Sequence, residues 1–509
     1  MIKKYKKIRS INFNTSACIS AILQSRVVNN ESRHDGNVQF CQGGAFVIRA
    51  ARVLMFCFGA FVFFQVSMCP EGLCQTSKLE KDERLLFWSS VRFRYELQNN
   101  FNLKSYGSDP VVGEEDDAFL LGRLRLGVKG RLTDTISYSA GIQHSEVWGL
   151  DIPESAFFKG PFGRQNNPYE DDFELFNTFV QVKELFSSSV DLKVGRQLLY
   201  YGDKRIFGPG QWGNTGRWMW DAAKLHAPFG PHFIDLYYGK TMIHDPDVFS
   251  LEHNHGFESI GIYSHFKFPD RYKGIVIEPF AMTKDSDGNE FPASDGSRGD
   301  LESYYFGLRI AQKDGRSFDW DLTYIQQRGD YADEDIEAYA YHLQFAYNVS
   351  SCPWKPRLGV DYSYASGDDD PTDGEMGTFD GAFGARDKMY GRMNLFHWKN
   401  LKDAQVHMTL HPRKDLQVVT RVHQFWLAED RDAWYLNSRA YRDPTGRSGD
   451  EVGKELDLVA CWDVGKGHQL QCGFGYFWPD EFAKRLASDV EAAWGFVQWR
   501  WKFSHALVQ

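Results

Sequence analysis

Basic residues spaced two apart are the chemistry this chain offers most openly: Arg92-x-Arg94, Arg123-x-Arg125, and Arg500 with Lys502. Carboxylates recur at the same spacing, as Asp319 with Asp321 and Glu455 with Asp457. A spacing of two puts both members of a pair on one face of a β-strand. A guanidinium keeps its charge at any ordinary pH and meets a carboxylate with a planar fork of donors, so such faces bind and orient anions. Catalytic patterns fail in comparison. The histidines outside the N-terminal segment show no HExxH spacing, and neither Ser259 nor Ser264 has a local nucleophile signature. Asp285 to Glu290 begins like a calcium loop, but Glu290 stands where glycine is required and Gly296 where the closing glutamate belongs. Asp368-Asp369-Asp370 reads as a solvated loop tip. No enzyme activity, resident metal or cofactor is expected.

Strands must carry these residues, because period-2 alternation recurs along the chain and a sustained 3.6-residue apolar period does not. Val497, Trp499, Trp501 and Phe503 alternate with Gln498, Arg500 and Lys502; Val91, Phe93 and Tyr95 alternate with Arg92, Arg94 and Glu96. With Leu124, Leu126 and Val128 against Arg123, Arg125 and Lys129, and further segments on to Leu470, Cys472, Phe474 and Tyr476, eighteen strands are expected. Long connections near 98–117, 148–173, 201–219, 241–255, 284–302, 328–336, 366–403, 428–454 and 478–492 alternate with short turns such as 132–134 and 465–467. A soluble sandwich or propeller shows the same alternation along its strands. The regular loop asymmetry instead favours one all-β, antiparallel transmembrane barrel with long extracellular loops, short periplasmic turns and both termini periplasmic. Aromatics at 16% in a chain of mean hydropathy −0.46 agree with an apolar outer belt around a wet interior.

The N-terminal segment differs in kind. Basic residues from Lys3 to Arg52 precede a 14-residue run from Val53 to Val66, short for a membrane span and of signal-core length. Residues 1–74 are therefore expected to be a removed leader, with a single membrane anchor as the alternative, and 75–509 to form the barrel. Of 58 basic and 68 acidic residues, 9 and 3 lie in the leader; the remaining 49 and 65 leave a net charge near −16, which argues against nucleic-acid partners. Cys352, Cys461 and Cys472 remain, and cross-strand register places Cys461 opposite Gln471 and Cys472 opposite Ala460, so no bridge is expected.

Closing the barrel would set Arg500 and Lys502 beside Arg92 and Arg94, and these beside Arg123, Arg125 and Lys129. Asp319, Asp321, Asp361, Asp403, Glu455, Asp457 and Asp463 would sit on the opposite arc. Either the two arcs set a transverse field in a pore, or the charges pair and only hydrate the lumen.

Val194-Gly195-Arg196-Gln197, Tyr201-Gly202-Asp203-Lys204-Arg205, Trp212-Gly213-Asn214 and Trp220-Asp221-Ala222 resemble the hallmark segment of the alginate export porin family. Phe379 to Gly384, with Lys388 and Tyr390-Gly391, resembles a second family segment. The resemblance runs from about Arg84 to Phe503. It implies an outer-membrane barrel in a Gram-negative type envelope, with an arginine-lined constriction that passes anionic polysaccharide. By motif match that lining would be Arg92, Arg94, Arg123, Arg125, Arg196, Asp203, Arg205 and Arg500. Arg196 has a second reading, as an interfacial residue reaching to water, because it shares parity with Val190, Leu192 and Val194. The turn that would cover the lower mouth in the exporter is here only Gly465-Lys466-Gly467, which points to a passive conduit for hydrophilic solutes, anionic saccharides included. Implied partners are outer-membrane lipid, the barrel-assembly machinery and the solute. The alternative function is a surface barrel whose long loops, 366–403 and 428–454 above all, bind partners.

Overall fold

The computed structural model describes residues 84–508, apart from 108–111, 160–161, 211, 250–253, 270–273, 293–297, 314–316, 387 and 438. The expected leader lies outside the described residues.

Alternating sequence becomes alternating burial, and the strands follow one another around a ring. They are β1 (Leu85–Asn99), β2 (Asp117–Arg131), β3 (Ile136–Trp148), β4 in two pieces (Asp171–Leu175 and Phe179–Val182), β5 (Asp191–Leu198) and β6 (Met219–Phe229). Then come β7 (His232–Met242), β8 (His255–Lys267), β9 (Val276–Pro292), β10 (Arg298–Gln312), β11 (Phe318–Tyr331) and β12 (Glu334–Asn348). The last six are β13 (Arg357–Ala365), β14 (Leu401–Arg413), β15 (Leu416–Trp426), β16 (Glu451–Gly465), β17 (His468–Pro479) and β18 (Ala492–Val508). Each pairs antiparallel with its neighbour, and β18 pairs with β1, which closes an 18-strand barrel. Closure leaves no free edge, and so satisfies every ladder without water.

Outward residues remain apolar and uncovered: Val406 and Val497 are each 61% exposed, with Phe306 and Val360 close behind. A face of this kind has hydrocarbon as its natural solvent. Among the described residues no helix is long and apolar enough to cross a membrane, which says nothing about crossing by strands.

Both described termini lie at the short-turn end, since Leu85 pairs with both Gly130 and Val508. Two connections expected to be long are mostly strand. Segment 284–302 is taken up by β9 and β10, and 328–336 by β11 and β12, which join through Ala332-Asp333. The ladder simply continues there beyond the apolar belt, with Arg328 opposite Glu337, so the residues read as loop while pairing as strand. The cysteine register is as expected: Ala460 faces Cys472, Cys461 faces Gln471, and all three described cysteines are free.

Candidate functional site

Closure places Arg92 opposite Arg500 on one side and opposite Arg123 on the other. Three guanidinium-bearing positions thus lie in one row across β18, β1 and β2, with Arg94 and Arg125 offset from it. Like charges in register repel one another, and here the acceptors that hold them come from a loop.

That loop joins β5 to β6 and folds against the inner face of the barrel. Arg92 Nη2 donates to the Gly213 carbonyl at 3.1 Å and to Asn214 Oδ1 at 3.0 Å. Arg94 Nη1 donates to the Trp212 carbonyl at 2.7 Å, while its Nε pairs with Glu96 at 2.6 Å and its guanidinium covers the Trp212 ring at 3.8 Å. Arg123 Nη1 reaches the Asn214 carbonyl at 3.3 Å. Asn214 completes the seat, its Nδ2 donating to the carbonyls of Gly122, Glu146 and Tyr169, each at 2.9 Å. Arg125 lies 4.0 Å from the Phe176 ring and donates to Gln143. The Trp212-Gly213-Asn214 motif is therefore the part of the loop that the arginines grip. Arg92, Arg94, Arg123 and Arg125 face inward but are covered, at 3%, 1%, 7% and 7% exposed.

The second family segment meets the first. In the connection from β13 to β14, the Phe383 amide donates to the Ile206 carbonyl at 3.2 Å and its carbonyl accepts from the Gly208 amide at 3.0 Å. Trp218 Nε1 donates to the Gly384 carbonyl at 3.2 Å, and Phe383 sits 4.7 Å from the Trp220 ring. Gly384 is required by this approach, because a Cβ there would lie 1.8 Å from the Arg205 carbonyl oxygen. Further along the same connection, the amides of Arg392 and Met393 donate to Asp457 at 3.1 Å and Glu455 at 3.0 Å on the inner face of β16. The interior is thus narrowed from the long-loop end, not by the lower turn, which is as short as expected.

Asp203 and Arg205 stand at this junction. Asp203 Oδ2 accepts from Arg205 Nε at 3.1 Å, and Arg205 Nη2 lies 3.2 Å from His342 Nε2. Burial alone would raise the Asp203 carboxyl, but Arg205, His342 and Arg309 hold it below the usual carboxylate range. Ser363 Oγ is 3.0 Å from His342 Nδ1. Both ring nitrogens of His342 are thus engaged, one by Arg205 and the other by Ser363.

Arg196 is enclosed: 2% exposed, it bonds Asp221 at 2.6 and 2.8 Å and Glu174 at 2.9 Å. Its guanidinium thus ends on carboxylates and not at the surface. Simple parity fails because Gly195 takes a φ of 125° and β4 breaks between its two pieces, so Arg196 N donates to the Thr178 carbonyl at 2.7 Å. Beside it, His244 Nδ1 approaches Asp171 and Glu174. Burial lowers the imidazole pKa, but Glu174 and Asp171 more than offset that and raise it to about 10.

Much of the acidic arc is locally paired. Asp321 bridges Arg309 at 2.7 Å and Lys313 at 2.6 Å, Asp319 meets Arg357 at 3.3 Å, and His423 meets Asp403 at 2.9 Å. Pairing of this kind weakens any transverse field. Asp368 departs from the solvated-tip reading: it is buried, and burial followed by the Asp432 charge pushes its carboxyl up to about 6.

Two groups of basic side chains gather from distant segments, the first outside the motifs read in the sequence. Burial lowers Lys104 to about 7, helped by Lys159, Arg386 and Arg217. Burial likewise lowers Lys159, together with Arg217 and Arg386. These four residues come from the connections after β1, β3, β5 and β13. A second group surrounds Lys388, which burial and then Arg392, Arg421 and Lys204 hold below the ordinary lysine value. Each group mixes distant segments, so no local pattern could have revealed it.

A closed antiparallel barrel with an apolar belt and loops folded into its lumen is an outer-membrane barrel of the porin kind. The alginate export family model matches residues 84–495, and the chain belongs to that family. Solved structures agree in fold. Acinetobacter baumannii OccAB1 is similar with a TM-score of 0.55 at 12% identity, over 84% of this chain and 100% of that one. OccAB2 from the same organism gives 0.53 at 12% identity, over 82% and 98%. Pseudomonas aeruginosa OpdK, solved with vanillate, gives 0.53 at 10% identity, over 83% and 99%. None of the curated proteins matches the chain in sequence.

Proposed function

We infer that this protein is a passive channel for hydrophilic saccharides, anionic ones included, with its long loops at the cell surface and its termini in the periplasm. The observation that carries the reading is the convergence of Lys104, Lys159, Arg217 and Arg386 from four connections, in a chain whose sequence outside the expected leader is acidic overall. Cations gathered against a net negative charge mark a local anion track rather than a general property of the surface. Lys204, Lys388, Arg392 and Arg421 form a second group of cations. Arg500, in the row with Arg92 and Arg123, is half-buried and donates to Gln469 at 2.6 Å. Arg92, Arg94, Arg123, Arg125, Arg205 and Asp203 act chiefly by fixing the loops that shape the constriction, and Arg196 by fixing the wall.

The family match supports export of a polyuronate, and the vanillate in the OpdK structure is itself a carboxylate. The surface-anchor alternative needs the long loops free for partners. Met393 and Trp434 on two of them are instead buried with the interior aromatics, which supports the channel. Insertion would depend on the barrel-assembly machinery and on outer-membrane lipid.

The test is current block in planar bilayers. An oligouronate should interrupt the current of single channels in a voltage-dependent manner, and a neutral oligosaccharide of equal length should do so far less. Equal block by both would remove the anionic part of the proposal, and absence of stepwise current would remove the channel.

A further inference from the structure

Asp171 and Glu174 stand on the first piece of β4, His244 begins the connection after β7, and all three are buried. His244 Nδ1 lies 2.9 Å from Asp171 Oδ2 and 2.5 Å from Glu174 Oε2, and the three ligand atoms lie within 4.8 Å of one another. Among the described residues no other trio of histidine, cysteine, aspartate or glutamate is set in this way. We propose that these three side chains form a binding site for one divalent cation of the zinc type, which clamps the connection after β7 to the barrel wall.

Ion pairing alone accounts poorly for the arrangement. One Nδ1–H serves two carboxylate oxygens, and His244 Nε2 is buried with no hydrogen-bond partner. A charged imidazolium would leave a buried cationic N–H unsatisfied, which costs more than the neutral N–H that remains when Nδ1 ligates a metal. The charge balance points the same way. Arg196, which bonds both Glu174 and Asp221, is the one permanent cation beside three carboxylates, so even a charged His244 leaves the group one negative charge in excess. A dication held by Asp171 and Glu174 brings the group to neutrality.

The donor set selects the metal class. One imidazole nitrogen with two carboxylate oxygens suits zinc or a similar transition ion and leaves a fourth position for water, whereas calcium takes six or more oxygens. At metal–ligand distances of about 2.0–2.2 Å the trio must open by roughly 1 Å from its present hydrogen-bonded spacing.

The site also backs the constriction. The His244 carbonyl accepts from the Asn167 amide at 2.6 Å, the Asn167 carbonyl accepts from Thr215 Oγ1 at 3.3 Å, and the Asn214 amide donates to the Pro168 carbonyl at 2.9 Å. An ion at His244 would therefore stiffen the segment on which residues 212–215 rest. This proposal stands independently of the solute.

The experiment uses untagged full-length protein in detergent, stripped with a chelator and titrated with zinc and, separately, with cobalt. Retained metal is measured by mass spectrometry after gel filtration. One ion per chain is expected, and the cobalt form should show visible absorption of low-coordinate geometry. His244→Gln and Asp171→Asn should weaken binding more than about 100-fold, beyond the loss usual for a ligand's supporting partners. His255→Gln, outside the trio, should bind like the parent, and heat-modifiable gel migration reports whether each variant folds. The proposal is overturned if the unsubstituted protein retains no stoichiometric ion, a result that needs no variant, or if folded His244→Gln binds as tightly as the parent.

Discussion

Arg92 and Asn214, 122 residues apart in sequence, meet at 3.0 Å, so an arginine in the barrel wall holds the loop that narrows the barrel. Asn214 is fully buried and serves four partners: Arg92 and the carbonyls of Gly122, Glu146 and Tyr169. Asn214→Ala leaves these without it, at about 1–3 kcal/mol for each buried group left unsatisfied. The barrel itself does not depend on the loop, so the variant should insert and fold while the loop leaves its seat. Single-channel conductance should rise and its open-state noise increase. Unchanged conductance would show that residues 212–215 do not shape the passage.

The arginine row makes a second prediction. Arg92→Gln with Arg123→Gln removes two positive charges from positions that pair directly across β1 and β2. Anion over cation permeability should fall while the barrel still folds, both because the charges are gone and because the loop they hold loosens, since lumen substitutions tune selectivity and lipid-face charges alter stability. A unit charge acts at 4 Å with about 1 to 4 kcal/mol, according to how wet the site is. At 1 M salt the Debye length shrinks to about 3 Å and the difference from the parent should shrink with it. Parent-like selectivity at low salt would mean that the row only fills the barrel.

Lys104 gives the channel a pH dependence near neutrality. Its folded pKa of about 7 lies below the ordinary 10.5, so protonated Lys104 opposes folding and its loss of charge does not. Between those two values the unfolded chain binds more protons, and this group's contribution to stability rises with pH. In the folded protein Lys104 loses its positive charge around its own pKa, about 7. Anion preference should fall between about pH 6 and pH 8 in the parent and much less in Lys104→Gln, as read from reversal potentials at each pH. An identical slope in both proteins would contradict this.

Orientation is tested by labelling. In a background with Cys352, Cys461 and Cys472 replaced by serine, a cysteine substituted at Asp369 should react with an impermeant thiol reagent on intact cells, and one at Lys466 should not. Both positions are exposed and lie at opposite ends of the barrel. Equal labelling of both on intact cells would overturn the assignment.

Strand number, closure and register were legible because they follow from periodicity of two. The row formed by Arg500, Arg92 and Arg123 needed only parity and the assumption that the ends meet, and Cys461 opposite Gln471 needed only the short turn. Arg196 was not legible, since a positive φ at Gly195 and the break in β4 depend on what packs around them. Nor did the spacing of the arginines reveal that a loop covers them, because the loop's carbonyls come from about 90 to 120 residues away. The cluster of Lys104, Lys159, Arg217 and Arg386 was invisible for the same reason: its members come from four separate connections.

Anion-selective passage through the loop-narrowed barrel is tested most directly by the zero-current potential of the unsubstituted protein in a planar bilayer under a low-salt potassium chloride gradient. The predicted result is stepwise single-channel current with a reversal potential displaced toward the chloride equilibrium potential. A reversal potential displaced toward that of potassium, or a membrane that holds the protein and carries no stepwise current, would contradict it.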